Sequence, residues 1–172
     1  MLAAAELVCA QEQIDAAIER IAAEVTERLE NSYPLLLTVM NGGLFFAGQL
    51  LPRLRFPLQC GYAHATRYAG EANAGELRWI APPPDVAGRT VLVLDDVLDH
   101  GFTMAAVRRR LMAEGALACL VAVLVDKQTR VARPLRADFT GVAAPDRFLF
   151  GCGMDAHGVW RNLPEIYAVR GT

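Results

Sequence analysis

Along residues 11–30 the apolar side chains Ile14, Ile18, Ile21, Val25 and Leu29 recur every three or four positions, with charges between them. That period predicts an amphipathic helix with one buried stripe. Asn31-Ser32-Tyr33-Pro34 ends it, because proline cannot continue the hydrogen-bond ladder. Residues 35–40 are a short apolar run bounded by turn residues, which reads as a strand buried on both faces. Gly42-Gly43 closes that strand, and residues 44–54 return to a helical pattern. A second strand is predicted over 57–66, and Trp79-Ile80 resumes extended structure before three prolines turn the chain. Between them, residues 67–78 are rich in Gly, Ala, Asn and charge. With little to bury, they read as a mobile loop or a frayed hairpin, placed to act as a lid.

The clearest unit follows. Residues 91–94 (VLVL) predict a buried strand, 95–102 a loop and 103–114 a helix that Gly115 stops. Residues 120–125 predict another buried strand ending at Asp126-Lys127, with later strands at 139–143 and 148–151. Strands alternating with helices imply an α/β fold, a mostly parallel sheet flanked by helices. At 172 residues, with no internal repeat or break in composition, the chain is expected to form one domain.

Composition narrows the function classes. The chain is 53% hydrophobic and 21% charged, which excludes a disordered sequence. Its formal charge is −2, from 17 basic and 19 acidic residues, and the basic ones are dispersed apart from Arg108-Arg109-Arg110. That balance argues against nucleic acid or an anionic membrane as the partner. Cys9, Cys60, Cys119 and Cys152 lack any CxxC spacing and are expected to be small buried hydrophobes in a reducing compartment. No apolar run reaches membrane-spanning length and the first residues lack a basic signal-peptide start. A cytoplasmic protein is the expectation.

Candidate chemistry concentrates where the 91–94 strand ends. In an open parallel sheet, ligands bind beyond the carboxyl ends of the strands. Asp95 and Asp96, leaving a buried strand side by side, repel unless hydroxyls, water or a cation share their charge. A sugar diol carrying Mg²⁺ supplies both donors and a cation. Gly101 permits the positive φ of a phosphate-cradling turn, and Thr103 can cap the helix whose N-terminal amides would face a phosphate.

The string VLVLDDVLDHGFT, residues 91–103, resembles the signature of type I phosphoribosyltransferases. Residues 39–46 (VMNGGLFF) are similar to the pyrophosphate loop of the hypoxanthine-guanine members, and Asp126-Lys127 and 145–161 to their purine-binding elements. The resemblance covers roughly residues 33–169 in order and spacing. It implies a five-stranded, mostly parallel sheet, a lid over about 64–80 and a small hood from about 145–172. It also implies transfer of a phosphoribosyl group from 5-phosphoribosyl-1-pyrophosphate to a 6-oxopurine, by a homodimer or homotetramer using Mg²⁺.

By that resemblance Asp95 and Asp96 hold the ribose hydroxyls and their Mg²⁺, and Asp99 faces purine N7 as general acid/base. His100, Gly101, Phe102 and Thr103 match the 5′-phosphate loop. Asn41, Gly42 and Arg161 match pyrophosphate contacts. Lys127 matches the donor to the 6-oxo group, Phe148 the stacking ring and the Leu149 backbone the reader of the purine edge. Asp155 matches a ligand for a second Mg²⁺, and Arg67-Tyr68 the catalytic lid. Four residues depart from the common pattern: Asn41 stands for a frequent lysine, Arg67 for serine, His100 for threonine and Phe102 for a polar residue. Two other readings of the acidic loop are an RNA-binding regulator on the same fold, which the charge disfavours, and a receiver-like signalling domain. A receiver needs its acceptor aspartate at the end of a separate strand, and Asp99 is not so placed.

Overall fold

The computed structural model describes residues 2–67 and 77–170. Its frame is a six-stranded sheet of order β4-β3-β2-β5-β6-β7. The strands are β2 (Leu35–Val39), β3 (Gln59–Arg67), β4 (Leu77–Ala81), β5 (Thr90–Leu98), β6 (Ala118–Gln128) and β7 (Phe139–Pro145). Neighbours among β3, β2, β5, β6 and β7 are parallel, as expected, and β4 adds an antiparallel sixth strand against β3. All five residues of β2 are buried, which accounts for an apolar run without alternation.

The alternation lies instead in which layer each residue enters. Leu36, Leu92, Leu94, Ala122 and Leu124 join one cluster with Ile14, Ile18, Ile21, Val25 and Leu29 of helix α1 (Gln11–Leu29). Leu35, Leu37, Val91, Val93, Val121 and Val123 join the other, with Met104, Val107 and Leu111 of helix α3 (Phe102–Ala113). Successive side chains of a strand point to opposite faces, so each strand feeds both layers. Helix α2 (Gly43–Leu50) lies on the α1 side through Phe46, Ala47 and Leu50. At the far end of α1 the Ser32 hydroxyl donates to the Leu29 carbonyl at 2.8 Å, satisfying a terminal acceptor before Pro34.

Several boundaries differ from the sequence reading. β5 does not stop at Leu94 but runs to Leu98, because β6 keeps pairing with it as far as Leu98 opposite Asp126. α3 begins at Phe102, and Gly101 occupies the cap position with φ 77° and no side-chain cap bond, so Thr103 is inside the helix and caps nothing. Pro52 converts the predicted end of the second helix into a short 3-10 turn, Leu51–Arg53. The 145–172 segment contributes β8 (Leu149–Phe150) and β9 (Ile166–Ala168) to a separate antiparallel sheet. The third strand of that sheet is β1 (Glu6–Cys9), absent from the sequence reading, so it unites residues from opposite ends of the chain. The loop expected over 67–78 lies mostly outside the described residues; the strands that flank it pair as a hairpin, Arg67 opposite Leu77.

Among the described residues no helix is long and apolar enough to cross a membrane. Of the four cysteines, all free, Cys9, Cys119 and Cys152 are buried and Cys60 is exposed on β3. Burial pushes the Cys119 thiol up to about 11 and the Cys152 thiol up to about 12. Since the thiolate is the nucleophile, brief alkylation of the native protein is expected to modify Cys60 alone. Peptide mass spectrometry checks this, and label on Cys119 or Cys152 before unfolding contradicts it.

Candidate active site

The last rung joining β2 to β5 is Thr38 opposite Leu94, whereas β5 and β6 stay paired through Leu98. Asp95 and Asp96 therefore sit on a strand that has lost one neighbour, at the carboxyl edge of the sheet. The Asp96 amide donates to the Asp95 carboxylate at 3.0 Å. Asp96 is one of two buried polar residues, the other being Thr38, among the described residues. Burial, with the charge of Asp96 beside it, holds the Asp95 carboxyl well above the usual range. Burial likewise raises Asp96, against the opposing pull of Arg161 on both.

Two backbone segments converge on this pair. At Gly43 a Cβ would stand 2.6 Å from the Leu94 carbonyl, and at Gly42 it would overlap the Asp96 carboxylate. At Gly153, with φ 102°, it would overlap the Gly42 carbonyl and come within 3.3 Å of Asp96 Cβ. Only glycine permits that approach. Arg161 secures the second segment: its guanidinium donates to the Gly153 carbonyl at 2.6 Å while its own carbonyl accepts from the Gly153 amide at 2.9 Å. The same guanidinium pairs with Asp155 at 2.6 Å, and the Gly158 amide donates to the other Asp155 oxygen at 2.8 Å. Gly42 and Arg161 are thus brought together, with exposed Asn41 beside them after a cis Met40–Asn41 bond.

Two cavities open at this edge. The larger, about 630 Å³, is lined by the continuous stretch 95–104, hence by Asp95, Asp96, Asp99, His100, Gly101, Phe102 and Thr103. The first amides of α3 have no partner within the helix and carry the positive end of its dipole. The smaller, about 210 Å³, is lined by Asp96, Val97, Asp99, Lys127, Phe148, Leu149, Met154 and Asp155. Every residue expected to touch a purine is in that wall. Lys127, itself mostly buried, donates from Nζ to Asp99 Oδ2 at 3.2 Å. Asp99 borders both cavities.

The sequence reading missed several parts of the assembly. Val97 and Met154 complete the smaller cavity, and only their closeness in sequence to Asp99 and Asp155 marked them. His157 stacks on Phe148 with ring centres 6.4 Å apart. Arg133 clamps the ends of β5 and β6: it donates to the Leu98 carbonyl at 3.1 Å and also engages the Lys127 carbonyl and the Asp126 carboxylate. It thereby steadies the residues on either side of the Asp99–Lys127 pair, and no feature of the 129–138 loop sequence distinguishes it from Arg130 or Arg136. Among the described residues no three His, Cys, Asp or Glu converge as a metal cage, and Asp155 is bound to Arg161 rather than to the Asp95–Asp96 pair. Arg67 is the last described residue of β3, and Tyr68 lies outside the described residues.

The raised carboxylates have a consequence for stability. A carboxyl whose folded value exceeds its unfolded one contributes stability at pH below the unfolded value, roughly 3.9, and loses it as pH rises through the folded value. At neutral pH, Asp95 therefore opposes folding in the ligand-free chain. Asp95→Asn is expected to raise Tm at neutral pH in buffer containing a chelator, and the gain should shrink as pH falls toward roughly 4. Thermal melts of both proteins across that range check it; a lower Tm for the variant at neutral pH is the contrary result.

Comparison with known proteins agrees with this geometry. The model of the phosphoribosyl transferase domain matches residues 9–157. The hypoxanthine-guanine-xanthine phosphoribosyltransferase of Tritrichomonas foetus is 33% identical over 158 residues, 91% of this chain and 86% of that protein. A solved hypoxanthine-guanine-xanthine phosphoribosyltransferase superposes with TM-score 0.86 at 30% identity, over 95% of this chain and 96% of the other. The fold also matches a hypoxanthine phosphoribosyltransferase from Staphylococcus aureus, with TM-score 0.89 at 23% identity over 96% of this chain and 91% of that one. With its acidic strand end, its glycine-lined convergence and its paired cavities, this chain belongs to the phosphoribosyl transferase family, alongside the hypoxanthine-guanine members.

Proposed function

We propose that the protein serves purine salvage, transferring the 5-phosphoribosyl group of 5-phosphoribosyl-1-pyrophosphate to hypoxanthine and guanine. The products are inosine or guanosine monophosphate and pyrophosphate. One observation carries the reading: Asp99 lines both cavities, as Asp96 and Val97 do, and of these three it is the one paired with Lys127. It stands between an acidic pair with helix amides and an aromatic ring with a lysine. A group at that junction faces both the ribose carbon and the base. The bond formed joins a purine ring nitrogen to ribose C1, the bond broken joins C1 to the pyrophosphate oxygen, and Asp99 manages the proton at purine N7. A carboxylate there also stabilises positive charge on the ribose as the leaving group departs.

The remaining roles follow from charge and shape. Asp95 and Asp96 suit a sugar diol and Mg²⁺, since two adjacent buried carboxyls raised in pKa are in need of donors and a cation. Bound Mg²⁺ would neutralise the pyrophosphate and the diol-binding carboxylates. His100, Gly101, Phe102 and Thr103 would receive the 5′-phosphate on their amides. Asp155, now paired with Arg161, would hold the Mg²⁺ of the pyrophosphate group and Arg161 its anionic oxygens, with the Asn41 and Gly42 backbone assisting. Lys127 would turn from Asp99 to the 6-oxo group, which penalises the 6-amino group of adenine. Phe148 would stack on the base and the Leu149 backbone would read its edge. Arg67 and Tyr68 are proposed as the lid, the active form as a homodimer or homotetramer, and the location as cytoplasmic.

The test is incubation with 5-phosphoribosyl-1-pyrophosphate, Mg²⁺ and each of hypoxanthine, guanine, xanthine and adenine, with nucleotide separated chromatographically. Product from hypoxanthine and guanine and none from adenine is expected; no product from any base overturns the reading. Asp99→Asn should lower turnover roughly 10²–10⁴-fold with the fold intact by circular dichroism. Lys127→Ala should raise KM for hypoxanthine far more than KM for 5-phosphoribosyl-1-pyrophosphate, and equal changes would make Lys127 structural.

A further inference from the structure

His100 and Phe102, two of the four departures from the family pattern, are not independent. Their rings lie nearly parallel, 12° apart in plane and 6.5 Å between centres. His100 Nδ1 stands 3.1 Å from Asp99 Oδ1, on the opposite side of the carboxylate from Lys127. Oδ1 is itself buried and has no hydrogen-bond partner of good geometry among the described residues. A ring nitrogen faces a carboxylate oxygen favourably only when it carries a proton; otherwise two lone pairs oppose each other.

We propose that His100 is a positioning residue for Asp99: protonated on Nδ1, it donates to Oδ1 while Phe102 holds the imidazole against rotation. The proposal rests on the reading of Asp99 as the group that manages the purine proton. In the ligand-free chain Lys127 donates to Oδ2, while His100 Nδ1 stands within reach of Oδ1 without yet being aligned for a hydrogen bond. When Lys127 moves to the 6-oxo group of the base, Oδ2 is released to face the purine N–H. A carboxylate turns readily about its terminal torsion, so a remaining partner on Oδ1 is what keeps Oδ2 aimed. Stacking by Phe102 explains why an exposed ring replaces a polar residue at the start of α3.

The chain has three histidines, so long-range proton–nitrogen NMR of the full chain separates their tautomers after assignment by single substitutions. The singly protonated form of the His100 ring should carry its proton on Nδ1 in the wild type and on Nε2 in Asp99→Ala, Nε2–H being usual where no acceptor holds Nδ1. In turnover assays His100→Thr should lower kcat about tenfold, part of the ~10²–10⁴-fold available to proton transfer. KM for 5-phosphoribosyl-1-pyrophosphate should move by no more than about twofold. His100→Asn, whose amide donates from nearly the same point, should recover most of the loss. Phe102→Ala should lower kcat alone but add little in the His100→Thr background. An Nε2–H tautomer in the wild type, or a raised KM for the phosphoribosyl donor with unchanged kcat, overturns the proposal. An Nδ1–H tautomer in a protein that makes no nucleotide would instead sink the transferase reading and leave the His100–Asp99 contact standing.

Discussion

The continued pairing of β5 with β6, past the point where β2 has ended, is the constraint on which the site depends. From Val91 to Leu94 the central strand has a neighbour on each side, and its residues are apolar and enclosed. From Asp95 to Leu98 it has one, and the opened edge is where α2 begins and where the 151–153 segment arrives. The rungs that remain hold Asp95 and Asp96 rigid although both resist being charged there. Arg133 extends this restraint one step beyond the ladder, to the residues from which Asp99 and Lys127 project. A flexible loop carrying the same side chains would relax, turning its carboxylates to water and losing their opposition.

Glycine supplies the second constraint. Gly42 and Gly153 let two backbones meet over Asp96 with no side chain between them, and Arg161 ties the later one down. The result is a concentration of like charge on one side and of carbonyl and amide dipoles on the other. Such a site is costly when empty and well matched to a ligand carrying both hydroxyls and phosphates. Stability given up at the site is balanced by the two apolar layers that enclose the sheet on both faces.

Much of this was legible in the residues. The fully buried strand at Leu35–Val39, the helix with Ile14 and Ile18 on its stripe and the acidic end of the 91–94 run follow from period and punctuation alone. The wall of the smaller cavity was legible only through resemblance, since Phe148 and Leu149 in an apolar stretch look like core. The small sheet was not legible: β8 spans two residues and β9 three, too few to express a period, and their partner β1 lies far away in sequence. Arg133 and the side-chain role of His100 were hidden for a related reason. Their meaning comes from contacts across the fold, and a loop arginine or a loop histidine has no local pattern to betray it. The end of β5 was misjudged because aspartates disfavour strands locally, while pairing with β6 overrides that preference.

The small sheet bears on how the molecule is made. β8 carries Leu149, whose backbone pairs with Ala168 of β9, and Ala168 pairs in turn with Glu6 of β1. During synthesis the acidic loop and its β5–β6 support can form once the chain has passed Gln128. The wall that Leu149 helps to form must wait for residues 166–168, and β1, made before its partner β9, waits with it. A nascent chain thus gains the acidic loop and its cavity well before the wall of the smaller cavity. That wall is then locked by β1, a strand made long before the β9 it pairs with.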